Sequence, residues 1–195
     1  MALSKIDVVN MLTGATPVAN GGTGLASGTN GQFLKFTGST TVASAAVDSS
    51  LTPSFSAYLD SSDQSISSDT YVKIIFNAED HDSDSAYDVS AGRFTVPSGE
   101  GGRYVIGFMG AYDGASADSV PWSTFTWYRN GSQKTSFHTA DYSNTSRRGA
   151  SVCDVIVDTM SAGDYFEVYA YHNKGSSADL QSGKYKNHFW GYKIG

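Results

Sequence analysis

The densest cluster of chemically capable side chains is Glu79-Asp80-His81-Asp82-Ser83-Asp84. Carboxylate oxygens this close together are the hard ligands that Ca2+ takes, and three such loops around a common axis would concentrate charge on a shared ion. The calcium-loop pattern, with its central Gly and closing Glu, is absent. Glu79, Asp80, Asp82 and Asp84 are therefore weak metal candidates, weighed against an ordinary exposed acidic loop. The histidines His81, His138, His172 and His188 show no zinc spacing, and neither a nucleophile elbow nor a phosphate-binding loop occurs. No catalytic residue is assigned, and no cofactor beyond that Ca2+ is implied. Two carboxylates held near each other could hydrolyse a glycan, but nothing in linear order pairs them, so a glycan depolymerase is the least favoured reading. The single cysteine, Cys153, rules out an intrachain disulfide. Lying in the apolar run 149–157, it is expected to be a buried structural thiol.

A second set mixes aromatic rings with charge: Asp113 and Trp122, then His138, Asp141, Tyr142, Arg147 and Arg148, then Lys174, Asp179, Lys184 and Tyr185. Rings stack on the flat apolar faces of sugars or headgroups while charged groups fix orientation. Asp113, Trp122, Asp141, Tyr142, Arg147, Arg148, Lys184 and Tyr185 are accordingly the candidate receptor contacts. Trp122, directly after Pro121, equally suits a plug at one end of the core, and Arg147-Arg148 equally suits an intersubunit ion pair or solvated charge. The net charge of −6 supplies no basic footprint for nucleic acid.

The scaffold holding these residues is expected to be all-β. The 21 glycines and 12 tyrosines, with abundant Ser and Thr, disfavour helices and suit pleated strands and turns. Strands are predicted at 55–59, 71–76, 92–96, 103–112, 123–128, 133–137, 149–157, 164–172 and 187–194, with Asn130-Gly131 as a tight hairpin turn. If successive strands alternate direction, the short connections 97–102, 129–132 and 159–163 fall at one end of a sandwich. The long ones, 77–91, 113–122, 138–148 and 173–187, fall at the other and form a distal crown, where function on a rigid sandwich usually sits. The last two strands carry aromatic residues on both faces, although a strand with one wet face should alternate apolar with charged. Tyr165, Tyr169, Tyr171, Trp190 and Tyr192 are therefore candidate contacts between subunits.

The N-terminal part differs. Residues 4–12 place Ile6, Val9 and Leu12 along one side of a helix too short to hold itself, and the Gly-rich stretch 13–50 cannot build a monomeric core. No run approaches the ~20 apolar residues of a membrane span. Met1-Ala2-Leu3-Ser4-Lys5-Ile6-Asp7 lacks the basic leader of a signal peptide, so synthesis in a cytoplasm without membrane insertion is expected.

Thr16-Pro17-Val18-Ala19-Asn20-Gly21-Gly22-Thr23-Gly24, followed by Gly31-Gln32-Phe33-Leu34-Lys35, resembles the repeat of bacteriophage tail-fibre and tail-spike proteins, which sits in thin trimeric shafts. Val18, Leu25, Phe33, Leu34 and Phe36 are isolated apolar residues of the kind that three intertwined chains bury together. A second resemblance covers about residues 55–195. Phe76-Asn77, Tyr87-Asp88, Ala91-Gly92-Arg93-Phe94-Thr95-Val96-Pro97, Gly102-Arg103-Tyr104, Trp127-Tyr128-Arg129-Asn130, Gly163-Asp164 and Phe189-Trp190-Gly191-Tyr192 are similar in order and spacing to the globular head of complement q and tumour necrosis factor. That resemblance implies a ten-stranded jelly roll that trimerises at the end of a fibrous stalk. Asn77 stands where an Asp is usual, and 77–86, 138–148 and 173–187 are longer, so no ligand site is carried over.

The two resemblances imply a homotrimeric virion fibre. Residues 1–15 would anchor it to other virion proteins, 16–54 would form the shaft, and 55–195 would be a jelly-roll head adhering to a host surface glycan or protein. The alternative is a capsid, neck or baseplate decoration protein that binds no receptor.

Overall fold

The computed structural model describes residues 29–38, 41–45, 51–112, 122–140 and 151–195, the side chains of 137–140 excepted. The chain divides into two units, Met1–Ser50 and Leu51–Gly195. The expected anchor and the Pro17–Gly24 motif lie outside the described residues.

In the first unit, β1 (Phe33–Phe36) and β2 (Val42–Ala45) form an antiparallel hairpin, Phe33 opposite Ala45 and Phe36 opposite Val42. Its apolar side chains bury little: Phe33, Leu34 and Phe36 are all exposed, Phe36 by 71%. A two-stranded ribbon has no core of its own.

The second unit is a β-sandwich, and no helix occurs among its described residues. Its strands are β3 (Ser54–Tyr58), β4 (Gln64–Ile66), β5 (Val72–Lys73), β6 (Ala78–Asp82), β7 (Tyr87–Asp88), β8 (Arg93–Thr95), β9 (Gly102–Ala111), β10 (Trp122–Arg129), β11 (Ser132–Ala140), β12 (Ser151–Met160), β13 (Tyr165–His172), β14 (Ala178–Leu180) and β15 (His188–Lys193). One sheet has the order β12-β9-β15-β3-β6. The other has the order β11-β10-β13-β8-β7, with β5 also paired to β13. A two-stranded ribbon, β14-β4, is a third sheet, and its Ile66, Ala178 and Leu180 are buried in the common core. All pairings are antiparallel.

Alternation of side chains decides what fills the gap between the sheets. Phe55 and Ala57 of β3, Tyr104, Ile106 and Phe108 of β9, and Phe189 of β15 point inward from one sheet. They meet Phe94, Phe125, Trp127, Phe166 and Val168 from the other, and all are essentially inaccessible. The rings pack in offset and edge-on arrangements: Phe108 meets Trp127 at 4.8 Å and 79°, and Phe55 stacks on Phe94 at 4.6 Å. Such pairs add to area burial about 0.5–1.5 kcal/mol each.

The expected hairpin is present. Asn130 and Gly131 adopt φ of 52° and 74°, joining β10 to β11 as a tight turn with two left-handed residues does. The long segment expected at 77–91 is not a crown loop. Its first part is edge strand β6 running along β3, and its second part contains β7, paired to β8. The predicted strand 71–76 shortens to Val72–Lys73, although Ile74 still donates to the Val168 carbonyl at 2.9 Å and is buried. The ends of β9, β11 and β13 and the starts of β10, β12 and β15 do share one end: Ser151 lies opposite Ala111, Trp122 opposite Ala140, and Ser123 opposite His172. Tyr112 joins the two sheets there, its ring 5.6 Å from that of His172.

Candidate functional site

Three surfaces could meet a partner, and each follows from strand alternation. The first is the outward face of β12, β9 and β15. It carries Val155 and Val157, 48% and 61% exposed, beside half-buried Val105, Met109, Trp190 and Tyr192. Trp190 lies flat across Gly107, where any Cβ would collide with its indole, and its ring stacks at 15° on Tyr192. Cys153 is exposed on this face, correcting its expected burial. The 149–157 run looked like core because it is apolar, but β12 sends only alternate residues inward. His188, at the β3 side of the face, shares a 2.8 Å hydrogen bond through Nε2 with the Ser56 hydroxyl. Loss of hydration lowers its pKa.

The second surface is the outward face of β10, β13 and the β5 segment. Tyr128 lies 4.1 Å from Tyr169 and 6.5 Å from Tyr71, Tyr71 lies 5.0 Å from Tyr171, and Trp122 lies 6.0 Å from Tyr171, measured between ring centroids. The five rings make one continuous run. Its charges are satisfied locally: Lys73 Nζ sits 3.1 Å from Glu167, and the Tyr171 hydroxyl donates to Asp69 at 3.2 Å. Burial raises the phenol pKa values of Tyr128 and Tyr169, with neighbouring Tyr71 and Glu167 respectively adding to the effect. Beside Glu167, Tyr165 carries the Arg93 guanidinium over its ring at 4.9 Å.

These two surfaces divide the five expected subunit contacts. Tyr165, Tyr169 and Tyr171 project from one sheet, Trp190 and Tyr192 from the other, on opposite outer faces of the sandwich. One flat interface does not hold both groups. Both strands are doubly aromatic in sequence, and nothing in their composition reveals that they belong to different sheets.

The third surface is the loop end. Tyr185 is 80% exposed, and Lys184 extends to Asp80 on β6 at 2.6 Å. Beneath them, buried Asn187 fastens the connection by accepting from the Ala111 amide at 2.9 Å and donating to the Ala111 and Gln181 carbonyls at 2.8 and 2.7 Å. Trp122 does not join Lys184 and Tyr185; it belongs to the tyrosine face of the opposite sheet. Asp113, Asp141, Tyr142, Arg147 and Arg148 lie outside the described residues.

The acidic segment forms no metal cage. Strand alternation along β6 turns neighbouring side chains apart. Asp80 pairs with Lys184, while the Asp82 carboxylate accepts from the amides of Asp84, Ala86 and Tyr87 at 2.9–3.3 Å. Asp84 accepts from the Ser83 hydroxyl, and His81 is bonded to Ser54. Burial, then the charge of Asp82, raises the pKa of Glu79. No group of three metal-capable side chains converges among the described residues. Of the expected Ca2+ ligands, Asp80 is thus an ion-pairing group and Asp82 a capping group of the edge strand.

No protein-family profile and no curated protein matches the chain. Solved structures do. The chain is similar to the Eiger TNF of S. frugiperda at 13% identity, over 73% of this chain and 92% of that one, with a TM-score of 0.55. It is similar to murine APRIL at 10% identity, over 72% and 98%, with a TM-score of 0.54. The globular domain of zebrafish complement 1qA protein aligns at 18% identity over 73% and 98%, with a TM-score of 0.48. At these identities the likeness is one of fold: the sandwich is a tumour-necrosis-factor-like jelly roll.

Proposed function

We propose that the chain is a homotrimeric fibre protein of a bacteriophage particle, with a jelly-roll head that adheres to a glycan on the host surface. One observation carries the reading: each unit leaves apolar side chains bare that a single copy does not cover. In the first unit these are Phe33, Leu34 and Phe36, and in the second Val155 and Val157. Burying one valine fully contributes about 1.5–3 kcal/mol, so a patch of this kind, repeated by symmetry, favours association of identical chains. Trp190 and Tyr192 belong to the associating face, and the Thr16–Gly24 and Gly31–Lys35 segments supply the likeness to phage shafts. Residues 1–15 would attach the fibre to other virion proteins. Three heads per fibre convert weak glycan contacts into firm attachment.

Two measurements on the full chain test this. Its native mass should be that of three chains, and the fluorescently labelled protein should decorate bacterial cells of a susceptible strain and compete with infection. A trimer that labels no strain would favour a capsid, neck or baseplate decoration role instead. Shortened glycans after incubation would favour a depolymerase.

A further inference from the structure

We infer that the five-ring face of β10, β13 and the β5 segment is a binding platform for a neutral glycan chain, the contact surface through which the proposed adhesion operates. This rests on the adhesin reading only for the source of the glycan; the platform's chemistry stands on its own geometry.

The two outward faces of the sandwich differ in kind. The β12-β9-β15 face exposes aliphatic Val155 and Val157, groups that gain from dry contact with protein. The other face presents Tyr71, Tyr128, Tyr169, Tyr171 and Trp122, linked ring to ring at 4.1–6.5 Å. Each of these rings combines an apolar body with a polar tip, and Tyr71 and Trp122 remain 39% and 40% exposed. Pyranose rings have the complementary form, with apolar C–H faces that stack on aromatic rings and a rim of hydroxyls. A run of several aromatic rings matches a chain of sugars better than a single one.

Charge narrows the class further. Lys73 is taken by Glu167 at 3.1 Å, and Asp69 accepts from Tyr171 and from Ser68. Lys73 is held by Glu167 and the Arg93 guanidinium lies over the Tyr165 ring, while Asp69 and Glu167 would repel an anionic polymer. The same carboxylates can accept hydrogen bonds from sugar hydroxyls. Thr126 lies on this face too, opposite Tyr169 in register; it is wholly buried, and its hydroxyl has no hydrogen-bond partner. Such a group normally finds one, and a small shift of the Tyr128 and Tyr169 rings on binding would let a ligand hydroxyl supply it.

Affinity electrophoresis of the full chain through gels cast with dextran, laminarin or galactomannan, and with alginate as the anionic control, tests the inference. At least one neutral polymer should retard the chain. Trp122→Ala and Tyr171→Ala, with circular dichroism and native mass unchanged, should each weaken the retardation by roughly tenfold, the size expected for losing one aromatic contact. Tyr171→Phe keeps the ring and should retain most binding, which separates lost stacking from a damaged fold. The polymer should also quench tryptophan emission in the parent but not in Trp122→Phe, because Trp127 is buried and Trp190 lies on the opposite face.

Full retardation in both alanine variants, loss of retardation in the loop-end variant Tyr185→Ala instead, preference for alginate, or no retardation by any neutral polymer would overturn the inference. So would a fall in native mass in the alanine variants, which would identify a second copy of the chain as the occupant. Cell labelling measured in parallel separates the two claims. Labelling that survives both alanine variants removes the platform and leaves the adhesin; retardation without labelling of any cell removes the adhesin and leaves the platform.

Discussion

Asp164 shows how single side chains tie the base of the sandwich. Its carboxylate accepts from Asn130 Nδ2 at 2.6 Å, from the Ser161 amide at 2.8 Å and from Arg129 Nη2 at 2.5 Å. The Asn130 bond, then the Ser161 amide, then Arg129 hold its pKa at about 2, against the opposing effect of burial. A carboxyl lowered from 3.8 in this way contributes its full stability above about pH 4 and loses it as the pH falls toward 2. Acid unfolding followed by circular dichroism should therefore steepen between pH 4 and 2 in the parent. In Asp164→Asn that part of the acid transition should flatten, and the variant should be less stable at neutral pH. An unchanged acid transition would remove Asp164 from this role. Arg129 also bonds Asp158, at 3.0 Å, so Asp158 shares the load and the effect of one substitution will be partial. None of this network was legible beforehand. Asp158 and Asp164 lie 29 and 35 residues after Arg129, and only the β10–β13 pairing and the β12 edge bring them to it.

The strands were more readable than their partners. Local pattern is enough to predict β9, β10, β12, β13 and β15, and the Asn130-Gly131 pair is enough to predict the hairpin, because alternation and turn chemistry are short-range. Sheet membership is long-range, and the aromatic pattern of the closing strands does not reveal it: β13 and β15 belong to different sheets, so their outward aromatic residues lie on different surfaces. The same limit explains the 77–91 segment. Polar residues suggested a loop, but an edge strand needs no apolar alternation when both its faces are wet, and charges on an edge discourage further strand pairing. Cys153 departs from its expected burial for the complementary reason, since an apolar run on an edge strand still sends every second side chain outward. At this scale the expected outcome concerns β12. Val157→Glu should leave the β circular dichroism intact but weaken association at least a hundredfold by analytical ultracentrifugation, because it places a charge in the face proposed to associate. Unchanged association would show that β12 lies outside the contact.

At the scale of the whole molecule, the likeness to solved tumour-necrosis-factor-like structures establishes the jelly roll of 51–195, and the exposed apolar side chains of both units motivate the trimer. The thirteen strands among the described residues of that unit, against the ten expected, include short pieces such as β5 and β7, which interrupted pairing splits off. The receptor contacts expected at the loop end divide: Trp122 joins the tyrosine face, while Lys184 and Tyr185 stay at the loop end. Side-chain chemistry alone ranks such residues as binders without saying which of them stand together. The most direct test of the account is the native mass of the full chain at micromolar concentration, by sedimentation velocity or light scattering. A homotrimer has three times the 20.7 kDa chain mass, and that is the expected result. A single species of 20.7 kDa would contradict it.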